Sequence, residues 1–76
     1  MIPAKDNMLI TNILLRLVNQ NVSFIMERAT IHLEDELEDA YSIIITRCVD
    51  VEKVLGELRG NLTLTMGDRG LELWAK

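Results

Sequence analysis

His32 and Cys48 are the only histidine and the only cysteine in the chain, and most of the chemistry this sequence could perform would have to pass through them. Histidine alone has an ordinary pKa near neutrality, so His32 is the first candidate for proton transfer. His32-Leu33-Glu34 repeats the H-x-E half of the zinc deaminase signature, but the P-C-x-x-C half is missing. His32 is therefore expected to be a partly exposed strand residue. Cys48 as a nucleophile would need a base or a cationic neighbour. Arg47 precedes it, yet consecutive residues of a strand point to opposite faces, and a buried structural thiol is the expectation. One cysteine and one histidine do not complete a four-ligand zinc site.

Carboxylates are the next candidates. Glu34, Asp35, Glu36, Glu38 and Asp39 fall within six consecutive residues, enough oxygen ligands in principle for Ca²⁺ or Mg²⁺. The segment lacks both the D-x-D-x-D-G spacing and the glycine that a calcium loop needs. Gly67-Asp68-Arg69-Gly70 is too short for a phosphate loop and lacks the G-K-[ST] ending. No catalytic residue, cofactor or metal is expected, and the chain is not expected to be an enzyme. Function has to be sought in surfaces.

The totals narrow those surfaces. Of 76 residues, 49% are hydrophobic and 4% aromatic, with eight basic and twelve acidic side chains and a net charge of −4. The acidic segment holds five of the acids and leaves eight basic and seven acidic residues elsewhere, so the chain is nearly neutral with one acidic spot. A domain this short buries roughly 60% of the surface its unfolded chain exposes, and its core supplies roughly 3–5 kcal/mol. A lone cysteine offers no disulfide to supplement that core and points to a reducing compartment, so a cytoplasmic setting and self-association into a homo-oligomer are expected. The longest apolar run, Met8 to Val18, is broken by Asn12 and Arg16 and is shorter than the ~20 residues a membrane helix needs. No membrane partner is expected. Arg16, Arg28, Arg47, Arg59 and Arg69 are dispersed along the chain, so nucleic acid is not the expected principal partner.

The elements that must position these surfaces come from periodicity. Leu9, Ile10, Ile13, Leu14, Leu17 and Val18 follow a helical stripe, started by Pro3 or Asp6 and ended by Asn19-Gln20-Asn21, with Met8 and Leu15 off the stripe. A second helix starts at Asp50 as N-cap, with Val49 and Val54 as a staple, an apolar face of Val51, Val54, Leu55 and Leu58, and Gly60 as its stop. Gly56 is a misfit inside it, either tolerated or marking the close approach of another backbone. From Leu62 the period falls to two: Leu62, Leu64 and Met66 alternate, Gly67–Gly70 turns, and Leu71 and Leu73 alternate with Glu72 and Trp74. Gly70 suits a positive φ at that turn, and Trp74 faces away from the leucines.

Residues 22–49 admit two readings. Val22, Phe24 and Met26 alternate, and Ser42 to Thr46 is rich in β-branched residues, which favours a long hairpin joined by the acidic segment. Leu33, Leu37, Ala40, Tyr41 and Ile44 also fit one helical face, and the acidic segment lacks the usual turn residues. Three consecutive isoleucines favour strands. The expected fold is then α+β, one domain over residues 1–76, in the order helix, strand, strand, helix, strand, strand, with one small antiparallel sheet and both helices packed on one face.

The functional expectation is a small acidic protein-binding module, an adaptor, inhibitor or regulator, acting through protein contacts. Met8, Leu15 and Trp74 are its expected partner-binding apolar residues, and self-association is expected through the first helix and the face carrying Trp74. Glu34, Asp35, Glu36, Glu38 and Asp39 are expected to orient an unidentified protein with a basic surface. The alternative is a nucleic-acid-associated regulator in which residues 50–74 form a winged-helix-like unit. It requires Arg59, Arg69 and Lys76 to meet on one surface.

Overall fold

In the computed structural model, which describes residues 1–47 and 49–76, the chain runs through eight elements. They are β1 (Ile2–Pro3), α1 (Asn7–Asn19), β2 (Phe24–Leu33), β3 (Glu36–Ile45), α2 (Val51–Leu55), a 3-10 segment (Gly56–Asn61), β4 (Leu62–Gly67) and β5 (Gly70–Ala75). The fold is α+β, with one antiparallel five-stranded sheet and two helices. β3 is its spine: β2 pairs along one side, β1 and β5 share the other, and β4 flanks β5. The expected element order is corrected at its start, where β1 precedes the first helix and pairs Ile2 with Tyr41 and Pro3 with Ala40.

α1 buries Ile10, Ile13 and Leu17, with Leu9 and Leu14 half-buried against the same core. Val18, counted with that stripe in the sequence, is 61% exposed. It lies about 100° from Leu17 on the helical wheel, past the edge of what the sheet can cover. At the C-terminus the Gln20 N–H reaches the Arg16 carbonyl, and Asn21 takes φ 55°, the left-handed conformation that asparagine tolerates.

α2 begins as its sequence requires, the Asp50 carboxylate accepting the Lys53 N–H at 3.2 Å. It is shorter than its apolar pattern suggests. Gly56 adopts φ 57° and ψ −129°, which ends the α-helix there and not at Gly60. Gly56 is thus a helix terminator and no longer a misfit. A Cβ on it would sit 2.8 Å from Nη1 of Arg16, so the neighbour it makes room for is a side chain of α1 and not another backbone.

Ile10, Ile13 and Leu17 of α1 and Val54 and Leu55 of α2 meet Ile2, Ile43, Ile45, Leu62 and Leu73 in one core. Each fully buried aliphatic side chain stabilises the fold by roughly 1.5–3 kcal/mol. β-Alternation then explains why Ile44 departs from its neighbours: Ile43 and Ile45 enter the core, while Ile44 faces the other side of the sheet. It is nonetheless buried at 4% exposure, opposite Ile25 of β2 and Glu72 of β5. Arg69, in the β4–β5 turn, forms an ion pair with Glu27 of β2 and so straps that side of the sheet.

Beside Ile44, the Ser42 hydroxyl donates to Glu72, whose other oxygen lies 4.0 Å from the Met1 amine. Burial pushes this amine down from 8.0 to about 6, with Glu72 opposing the shift. The unfolded chain therefore binds the extra proton between about pH 6 and pH 8, and stability rises with pH across that window. Thermal melts of the free-amine chain should show this rise, and N-terminal acetylation, which removes the titrating group, should abolish it.

Residues 22–49 resolve in favour of strands. β2 and β3 pair residue for residue from Phe24↔Ile45 to Leu33↔Glu36. The turn is only Glu34-Asp35, with φ 51° and 67°, the positive values that a two-residue primed hairpin demands. The acidic segment is accordingly not a loop. Its first two residues are the turn, and Glu36, Glu38 and Asp39 are rungs of β3. Cys48 lies outside the described residues.

Candidate interaction surfaces

Met8 and Leu15 stand on the outer side of α1, 77% and 55% exposed. Val18 joins them, and Met8, Thr11, Leu15 and Val18 follow the 3-4 spacing of a helix–helix seam. At ~100° per residue they fall within about 80° of one another. Asn7, Asn12 and Asn19 flank this seam, all exposed, so its borders are polar but uncharged. Such a stripe can bury apolar area against another helix and supplies no charge to select its partner. Leu15 also borders a groove of about 590 Å³ between α1 and the α2 region, with Arg16, Lys53 and Glu57 on its walls.

Trp74 occupies the opposite side of the sheet. Leu73 beside it is fully buried in the core, and Trp74, across from Thr63 on β4, is 37% exposed. The structure brings Met8 and Leu15 together but separates them from Trp74 by the thickness of the sheet. One flat contact cannot engage all three.

The acidic residues are divided in the same way. Asp39 accepts from Arg28 at 2.7 Å, a hydrogen bond that raises the Arg28 guanidinium above its ordinary pKa. Glu38 lies 3.7 Å from Lys5. Among the described residues Glu34, Asp35 and Glu36 form no ion pair, so three uncompensated carboxylates gather at the hairpin tip, while Asp6, Asp50, Glu57 and Asp68, which also form none, are scattered over the chain. His32 is exposed on β2 opposite Leu37. Among the described residues no three His, Cys, Asp or Glu side chains are grouped to hold a metal ion, and no helix is long and apolar enough to cross a membrane.

A larger open groove of about 720 Å³ lies between α2 and the β4–β5 hairpin, with Arg47, Arg59 and Arg69 among its lining residues and Val51, Leu64 and Leu71 as its apolar wall. Arg59 and Arg69, two of the three cations needed for nucleic-acid binding, do share this groove. Each is spent on a carboxylate of the chain, Arg59 on Glu52 at 3.4 Å and Arg69 on Glu27. Lys76 donates instead to the Gly60 carbonyl at 3.2 Å and does not line the groove. Duplex binding depends on cations free to displace counterions: Arg47 of this groove and Lys53 of five-residue α2 form no ion pair among the described residues, whereas Arg59 and Arg69 do.

Sequence reasoning missed Val18, Ile25, Met26, Leu37 and Met66, all large hydrophobics with exposed side chains. The Met8–Leu15–Val18 spacing would have found the first. Ile25 and Met26 had no signal, because their exposure follows from β2 lying at the sheet edge, and pairing order is not encoded in alternation. No protein-family model matches the chain, and no curated protein or solved structure matches it either.

Proposed function

We propose that this chain is a small protein-binding module, working as a homo-oligomer, that acts by covering the surface of another protein and has no chemistry of its own. The observation that carries this reading is the outer stripe of α1. Met8, Leu15 and Val18 remain 77%, 55% and 61% exposed at helix-seam spacing in a chain whose other helical apolar residues are covered. Leaving such side chains in water gains nothing for the fold, while burying them against a helix of a target recovers about 25 cal/mol per Å². The expected occupant is an amphipathic helix of the target. The hairpin tip stays exposed, and its carboxylates would speed and orient encounter with a target that is basic beside its apolar helix.

The test substitutes Met8→Glu, Leu15→Glu and Val18→Glu together. These positions lie outside the core, so each should change stability within about 0.5 kcal/mol and leave the amide spectrum native. Used as bait in native lysate, the wild-type chain should retain a partner that the triple variant loses. Equal recovery by both, or no specific partner for the wild type, counts against the α1 contact. Light scattering should give a mass above the 8.7 kDa of one chain.

A further inference from the structure

We infer that the second copy in the oligomer attaches to the free edge of β2, pairing β2 antiparallel with its own symmetry mate about a two-fold axis at Ala29. This rests on the oligomeric reading above, but it uses a different surface from the α1 stripe.

The free edge follows from the hydrogen-bond pattern. The Thr46 N–H donates to the Ser23 carbonyl at 3.1 Å, which makes Ser23 and Thr46 a hydrogen-bonded pair. Hydrogen-bonded and non-hydrogen-bonded pairs alternate along an antiparallel ladder, so the odd-numbered residues of β2 bond to β3. Phe24, Met26, Arg28, Thr30 and His32 then turn their N–H and C=O groups outward. Among the described residues β2 pairs with β3 alone, and its register is one-to-one over ten residues with no bulge. It carries no proline or lysine either, so of the devices that keep natural edges from pairing it has only the charges of Glu27 and Arg28. Paired about Ala29, its charges meet no like charge of the mate, Glu27 lying opposite Ile31 and Arg28 opposite Thr30, and each also has a partner within its own chain, Arg69 for Glu27 and Asp39 for Arg28. Ile25 and Met26, 37% and 38% exposed, lie along this edge.

Symmetry selects the register. Residues paired across an antiparallel ladder share a face, so a two-fold axis perpendicular to the sheet must pass beside one residue paired with itself. Centring on Glu27 or Arg28 sets like charges directly opposite, which is destabilising. Centring on Thr30 draws both turn residues into the ladder, Glu34 opposite Met26 and Asp35 opposite Ile25, whereas centring on Ala29 reaches only Glu34, opposite Phe24 at the strand's end. Centring on Ala29 opposes two alanines, small enough for a non-hydrogen-bonded pair with Cα atoms about 4.5 Å apart. It also exchanges both hydrogen bonds between Arg28 and Thr30 of the mate, and sets Ile25 against Leu33 on the face opposite the helices.

Two variants test the pairing. Thr30→Pro removes an outward N–H and no bond to β3, so the chain should keep its native amide spectrum while the dimer dissociation constant rises about tenfold or more, since symmetry deletes the bond twice. In a Cys48→Ser background, Ala29→Cys should form an intermolecular disulfide under mild oxidation, because its Cα spacing lies within the roughly 4.4–6.8 Å a disulfide spans. Ile31→Cys, placed opposite Glu27 of the mate, should not. The triple α1 variant should remain dimeric. A wild-type chain that is monomeric at 100 μM, a concentration chosen for the assay at about a hundred times a micromolar constant, overturns both this pairing and the oligomeric part of the proposed function. A dimer unaffected by a folded Thr30→Pro, or one that cross-links through Ile31→Cys as readily as through Ala29→Cys, overturns the β2 pairing alone. Should Thr30→Pro unfold, the comparison of the two cysteine variants decides.

Discussion

Gly70→Ala is expected to abolish most of the chain's stability, a loss of about 3 kcal/mol or more, and to do so although alanine adds a single methyl group. Gly70 holds φ 138°, which side chains with a Cβ rarely adopt. A Cβ there would overlap the Ile45 carbonyl oxygen and come within 3.0 Å of the Ile45 carbonyl carbon and Thr46 Cα. These are backbone atoms at the end of the β3–β5 ladder, where Ile45 pairs with Leu71. They can retreat only by parting the two strands that carry Ile43, Ile45 and Leu73 into the core. For a domain whose whole margin is roughly 3–5 kcal/mol, this is the difference between folded and unfolded. Urea titration followed by Trp74 fluorescence should show the midpoint collapse. Gly67→Ala across the same turn is the control: the nearest atom to its Cβ is the Gly70 oxygen at 3.9 Å, and its midpoint should scarcely move. Equal effects at both positions would mean that turn flexibility, and not the Ile45 contact, sets the requirement for glycine.

The same turn shows what the sequence could and could not disclose. Alternation in Leu62–Met66 and the glycines around Asp68-Arg69 announced the hairpin, and Gly70 was recognisable as the residue needing positive φ. That its requirement comes from β3 was hidden, because the Ile45–Gly70 approach joins segments that no local pattern connects. Asp50 as a cap and the Ile10, Ile13 and Leu17 stripe were legible for the same local reason. β1 was not, since two residues ending in proline make no periodic signal and exist as a strand only because β3 offers its edge at Ala40 and Tyr41. The length of α2 was misread because a glycine in an apolar helical pattern is either tolerated or ends the helix, and the φ of 57° by which Gly56 ends it leaves no trace in the apolar spacing. Of the expected contact residues, Met8, Leu15 and Trp74 were identifiable singly as hydrophobics outside the core pattern. Which of them share a side of the molecule depends on where β5 enters the sheet, and this is a tertiary fact.

Replacing Glu34-Asp35 by Asn-Gly should stabilise the chain by about 1–2 kcal/mol. Both residues hold left-handed backbone, φ 51° and 67°, where a side chain with a Cβ is crowded against its own carbonyl; glutamate lacks even the local hydrogen bonding that helps aspartate and asparagine there. Asn-Gly meets the same geometry without that penalty, and the Leu33↔Glu36 pairing that flanks the turn should persist. The urea midpoint should rise with an unchanged denaturant slope, and a fall would mean that the two side chains stabilise the turn in some way their lack of ion pairs does not reveal. The functional consequence should run the other way. The exchange removes two of the three carboxylates that form no ion pair at the tip, leaving Glu36. If the tip steers the module toward a basic target, the more stable variant should associate more slowly, with the difference largest at low salt and vanishing as ionic strength rises, while its dissociation rate stays that of the wild type. A stability gain with no change in association rate would leave Glu34 and Asp35 as a poor turn without a purpose. A gain coupled to slower association would explain why acidic residues occupy backbone that asparagine and glycine would fill at lower cost: the strain at the tip is then what this chain gives up to hold charge at the farthest point of its longest hairpin.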